Sequence, residues 1–236
     1  MFKILKETNR LYETVFLSLS VLFCLGISMF RCMYTGARTF LFLNWNLFLA
    51  FVPWALTSLA IIKPWIQKSK IRIGFLVIIW LLFFPNAPYI LTDLFYLRRQ
   101  FSMPIWYDLL LILSFAWTGL LFGFLSLWDI EHILNKFMKP VFTTVLSTLF
   151  LFIGSFGIYI GRYLRWNSWD ILTDPLELMY DISDRVVNPF EHRTTWGMTI
   201  FMGLFLNLLY WSFRMIRNLP PGSDADGPLR KRSKGV

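Results

Sequence analysis

The chain predicts an all-α polytopic transmembrane bundle of six spanning helices, and three observations carry that prediction. Its 236 residues are 56% hydrophobic and 19% aromatic, with a mean hydropathy of +0.55. That is too apolar for a soluble domain of this length. Apolar runs of about twenty residues recur, each long enough to cross a hydrocarbon core of about 30 Å. They fall near 12–31, 41–62, 73–96, 106–128, 141–162 and 194–216, so 1–216 reads as one transmembrane domain. Lysine and arginine, thirdly, favour one side of the alternating connections by fifteen to eight. The positive-inside rule then places both termini in the cytoplasm.

The first run follows Lys3, Lys6 and Arg10, as in a signal peptide, yet no small-x-small cleavage site follows it, and an uncleaved helix is expected. Cys24 and Cys32 would stand about 12 Å apart along that helix, too far for a disulfide. Neither has His or Cys at ligand spacing, so both read as packing residues. The second run opens with Asn44, Trp45 and Asn46 on the outer side.

The third run holds the most informative stretch, Phe84-Pro85-Asn86-Ala87-Pro88-Tyr89-Ile90-Leu91-Thr92-Asp93-Leu94. A charge at bilayer depth costs roughly 2.5–3.5 kcal/mol on insertion scales and therefore faces a partner or a cavity. Prolines 85 and 88 deprive the carbonyls of Leu81 and Phe84 of their helical donors, and in lipid those groups must be satisfied by protein or water. Counting from an entry near Ile73, Asn86 lies about 20 Å and Asp93 about 30 Å along the span. In an unbroken helix Asn86, Tyr89 and Asp93 share a face. If the prolines break the helix, Asn86 becomes an N-cap for a half-helix running to Leu97. If they only bend it, Asn86 bonds the freed carbonyls.

Asp108 opens the fourth run after Pro104, at the end of the helix dipole that favours a carboxylate. The fifth carries Gly154, Gly157 and Gly161, which allow close approach of another backbone. It ends in Arg162, Tyr163, Leu164, Arg165, Trp166, Asn167, Ser168, Trp169 and Asp170. The aromatics there fit an interfacial belt, and the two arginines either snorkel to head groups or pair with Asp93, Asp108 or Asp170. In the connection 163–193, Asp174-Pro175-Leu176-Glu177 marks an N-cap with proline at the first helical position. Leu176, Met179, Ile182, Val186 and Val187 then recur near helical spacing. A short amphipathic helix over 170–190 is predicted, on the membrane surface or capping the bundle. The tail 217–236, rich in proline and arginine, is expected to be disordered and cytoplasmic.

The net charge of +9 is spread over short loops and a tail, which suits anionic lipid head groups rather than nucleic acid. No HExxH, P-loop or GxSxG pattern is present, and His132 and His192 are isolated, so no metal and no cofactor is expected. Polar residues from four spans converge on the outer side. The candidate ligand-binding set is Asn86, Tyr89, Asp93, Asp108, Arg162, Arg165, Asn167 and Asp170. Three functions follow: binding or transport of a small anionic or lipid head-group ligand, an intramembrane enzyme on a lipid-linked substrate using Asp93 and Asp108, or an interaction subunit bound to another membrane protein.

The segments Phe84–Tyr89 with Thr92-Asp93, Trp106-Tyr107-Asp108, Gly161-Arg162 and Leu164–Asp170 together resemble the bacterial membrane family called domain of unknown function 1361, over roughly 41–216. The resemblance implies a multi-spanning protein of the bacterial cytoplasmic membrane. It brings no activity, substrate or catalytic residue.

Overall fold

The computed structural model describes residues 10–97 and 103–218; the tail expected to be disordered falls outside these from 219 onward. Among the described residues the chain is helical without strands. Helix α1 (Leu11–Thr35) stops at Gly36, whose left-handed backbone turns its N–H onto the Cys32 carbonyl. Helix α2 (Phe42–Ile62) returns, and α3 (Lys70–Phe83) runs into a one-turn helix α4 (Asn86–Tyr89) and a 3-10 segment, Ile90–Tyr96. Helix α5 (Ile105–Leu134) starts after the extended Pro104. Helix α6 (Pro140–Tyr159) has proline at its first position and ends in a π-helical turn, Ile160–Leu164. Two helices follow outside the bundle, α7 (Asp170–Thr173) and α8 (Pro175–Val187), before α9 (Arg193–Asn218), the last described helix.

Among the described residues, six helical segments are long and apolar enough to cross a membrane. We call the end of the bundle holding Arg10 and Arg217 the terminal end, and the opposite one the far end. At 30 residues α5 is the central post: α1, α2, α4 and α6 all pack on it, and α9 packs on α6. It outruns its expected limit at 128 because Asp129 and Glu131, which interrupt the apolar run, are buried and paired rather than solvated.

The proline segment bends the third span without breaking it. Pro85 and Ile90 both keep helical backbone angles, and the chain tightens into 3-10 geometry. Asn86 is therefore not an N-cap; its amide Nδ2 donates to the Phe83 carbonyl at 2.9 Å. The Ala87 N–H meets the Phe84 carbonyl, and Ser168 Oγ donates to the Leu82 carbonyl at 3.1 Å. The bend is also clasped by glycines. A Cβ on Gly157 would lie 2.6 Å from Pro85 Cγ, and one on Gly154 would lie 2.9 Å from the Phe84 ring. Gly119 of α5 meets the Ala87 carbonyl in the same way, at 2.8 Å. The close approach expected of the α6 glycines is thus made to the prolines' own turn, and α5 supplies a second glycine face.

Candidate functional site

The bend delivers Thr92 and Asp93 to the far end of the bundle, buried beside α6. Arg162, on the π-helical turn, donates from Nη2 to Asp93 Oδ1 at 2.6 Å and from Nε to Thr92 Oγ1 at 2.9 Å. Asn46 of α2 donates from Nδ2 to the other Asp93 oxygen at 3.0 Å. Three spans thus share one carboxylate that is 1% exposed. The Arg162 guanidinium lies 4.6 Å from the Tyr89 ring centre and 5.0 Å from that of Tyr96. Hydrogen bonds and aromatic faces together offset the cost of placing a charge in so dry a setting. Of the acids suggested as partners for the arginines, Asp93 is the one that pairs, and with Arg162.

Beside this network lies a cavity of about 290 Å³. Its walls come from α2, the bend, α6 and the connection beyond it, and Asn46, Asn86, Tyr89, Asn167 and Ser168 supply the polar lining. Neither Asp93 nor Arg162 lines it. The orientation of its amides follows from their neighbours. Asn46 faces a carboxylate and Asn86 a backbone carbonyl, both acceptors, so each must present nitrogen there and leave its oxygen free. Those two carbonyl oxygens and the Tyr89 hydroxyl have no partner among the described residues. The cavity therefore offers neutral acceptors to a ligand that brings hydrogen-bond donors.

Helix α8 forms its roof. Leu178 and Ile182 line the cavity, while Leu176, Met179, Val186 and Val187 are largely exposed. The apolar positions read as one face are thus divided, Ile182 lining the cavity and the others exposed. The helix is fastened by Trp166 Nε1 donating to Asp181 Oδ2 at 2.7 Å and by Trp196 Nε1 donating to the Arg185 carbonyl. Its expected cap does not form as such: Asp174 occupies the N-cap position without a side-chain cap bond. At the other end Asp184 accepts from Asn188 at 2.8 Å and contacts His192 at 2.7 Å. These bonds hold its carboxyl below the usual carboxylate range.

Other predicted site residues go elsewhere. Asp108 is bound by Arg31, Nε to Oδ1 at 2.6 Å and Nη2 to Oδ2 at 3.1 Å. Arg31 closes the first apolar run and is absent from the candidate set. Asp93 and Asp108 thus belong to separate pairs, each oxygen with its own donor. Asp170 accepts from the Asn167 backbone and side chain and organises the local turn. Arg165 is exposed, carries a left-handed backbone (φ 63°), and makes no side-chain bond among the described residues.

A second polar cluster occupies the terminal end, where the sequence suggested mainly solvated lysines and arginines. Arg10 donates to Asp129 at 2.6 Å and to Glu13 at 3.0 Å. Thr57 also donates to Asp129, and Trp54 to Glu13. Arg214 reaches the buried Glu131 at 3.3 Å. Ending the fourth span at residue 128 hid this cluster. The signal available was three carboxylates, Glu13, Asp129 and Glu131, on the side otherwise dominated by cations.

These features define an α-helical membrane protein with buried polar networks at both ends and, at one, a small cavity with a few polar groups in its lining. The chain belongs to the family described as Protein of unknown function (DUF1361), whose model matches residues 45–209. The Asn46–Asp93–Arg162 network lies wholly within that segment, whereas α1 precedes it. No curated protein and no solved structure matches the chain.

Proposed function

We propose that the far-end cavity binds the polar head of a membrane lipid or lipid-linked molecule. The reading rests on one observation: Asn46, Asn86 and Tyr89, each with an oxygen unpartnered among the described residues, line a cavity that Leu178 and Ile182 of an amphipathic helix also line. Acceptors of this kind suit hydroxyl or amide N–H groups of a head group. Arg162 is charge-paired with Asp93 and does not line the cavity, so an anionic part of the ligand would be met by Arg165, next in sequence to the lining residues Trp166 and Asn167. Its left-handed backbone costs about 1–2 kcal/mol for a non-glycine residue, which is tolerable where the side chain serves a purpose. In this reading the protein sits in the bacterial cytoplasmic membrane with both termini inside, and the cavity serves the outer leaflet. Binding is favoured over transport because α5 carries the buried apolar side chains Leu111, Phe115 and Phe122 between Asp108 and Asp129.

Native mass spectrometry of protein extracted with its lipids tests the reading. Wild type is expected to retain a molecule with a hydroxyl- or amide-bearing head. Filling the cavity by Ile182→Trp should remove it. Arg165→Gly should weaken retention of an anionic species while making the fold more stable. Equal retention by all three proteins would refute the assignment.

A further inference from the structure

A second cavity, of about 820 Å³, opens on the flank of the bundle between α1 and α2 and is floored by Phe122 of α5. Its α1 wall is one helical face, Arg10, Thr14, Leu17, Val21 and Leu25, at steps of three or four residues. Its α2 wall runs from Asn44 to Ile62, about 27 Å at 1.5 Å per residue. That is nearly the depth of a hydrocarbon core of about 30 Å. Between its ends the groove is lined almost wholly by apolar side chains, and both flanking helices rest on α5.

The terminal end of the groove is different. Arg10 is 5% exposed and lines it. Its Nη2 is engaged by Glu13 and Asp129, but its Nη1 is buried with no hydrogen-bond partner among the described residues. An orphaned charged donor is expensive to bury, about 1–3 kcal/mol or more, and calls for an acceptor in the groove. Asp129 and Glu13 are balanced by Arg10 together with Arg217, whose Nη2 reaches Glu13 at 3.3 Å. The net positive charge at this mouth comes from Lys63, exposed and directly following Ile62, the last lining residue of α2.

A long apolar channel ending in a buried N–H donor and an adjacent free ammonium matches a lipid in shape and charge. We propose that this groove holds an acyl chain of an anionic phospholipid drawn from the leaflet at the terminal end. A phosphate or ester oxygen accepts from Arg10 Nη1, and the head-group charge faces Lys63. The site is independent of the far-end cavity, and neither assignment depends on the other.

The test uses the full-length protein in phosphatidylcholine vesicles doped with phosphatidylglycerol carrying a diazirine in its acyl chain. A matched phosphatidylcholine probe serves for comparison, and labelled peptides are mapped by mass spectrometry. Label is expected on the half of the groove nearest Arg10 and Ile62, within residues 10–25 and 44–62, with the acidic probe preferred about fivefold, since one basic group near the surface is worth about 1 kcal/mol. Lys63→Glu should abolish that preference without touching the buried network. Ala55→Trp should fill the groove and reduce labelling to background; if it fails to fold, Leu59→Trp serves, because Leu59 is half exposed. Equal labelling by both probes would overturn the proposal. So would undiminished labelling in the filled variant, or a cross-link placing a helix of another chain in the groove.

Discussion

Arg31 and Asp108 each expose 2% of their side chains, and the Arg31 guanidinium also lies 4.4 Å from the Phe40 ring centre. A charge so enclosed is stable only with its partner. Removing one member leaves the other uncompensated, at about 3–5 kcal/mol, whereas replacing both by apolar residues is far milder. Asp108→Leu alone should therefore lower thermal stability in detergent sharply. Adding Arg31→Met should restore much of the loss, a coupling measurable as a double-mutant cycle. Additive losses would show that the two side chains do not depend on each other. Residues such as these were half legible in the sequence. Asp93 and Arg162 could be suspected of pairing because both interrupt apolar runs near the same depth. Arg31 lies where a span was expected to end, and a charge at a span end reads as snorkelling until its partner is known.

For the elements, the proline bend shows how far local rules reach. Pro85 and Pro88 announce freed carbonyls at Leu81 and Phe84, which left a bend and a break equally open, and Asn86 bonds neither of them but the neighbouring Phe83 carbonyl. What the rules omit is that Gly119, Gly154 and Gly157 must leave room for the turn. Gly157→Ala would drive a methyl group against the rigid Pro85 ring and should destabilise the fold by about 1–3 kcal/mol. Gly26 in α1 has open space around it. There Gly26→Ala should stabilise by about 0.5–1 kcal/mol through helix propensity alone. Thermal melts of the two variants should shift in opposite directions.

Helix α8 carries a pH dependence of its own. Because the folded protein depresses the Asp184 pKa, its contribution is complete above the unfolded value of about 3.9. It is lost as pH falls through the lower folded value. A spin label at Val187→Cys should stay ordered from neutral pH down to about 4 and gain mobility below it. In an Asp184→Asn background that acid transition should vanish.

For the molecule as a whole, the class was open to reading because bilayer dimensions and hydropathy constrain a chain strongly. The six spans fell where apolar runs lie, with the main length error at residues 129–134. The distribution of polar contacts was less accessible. It depends on which helices neighbour α5, and periodicity does not say so. Orientation gives a global prediction. With Cys32→Ser removing background, a thiol placed by Glu177→Cys should react with an impermeant reagent on intact cells, and one placed by Lys139→Cys only after lysis. The reverse pattern would invert the topology and move the far-end cavity to the cytoplasmic leaflet.

The pairs Arg10–Asp129 and Arg31–Asp108 stand twenty-one residues apart on both α1 and α5, a separation of about 32 Å along a helix. That distance nearly equals the greasy slab the helices traverse, so the two clasps work as the stops of a calliper. A thicker bilayer would drag one charged pair into hydrocarbon unless the helices stood more upright or the lipids thinned locally, at fractions of a kcal/mol per Å of mismatch. Membrane thickness thereby becomes a variable that selects where this protein is at ease.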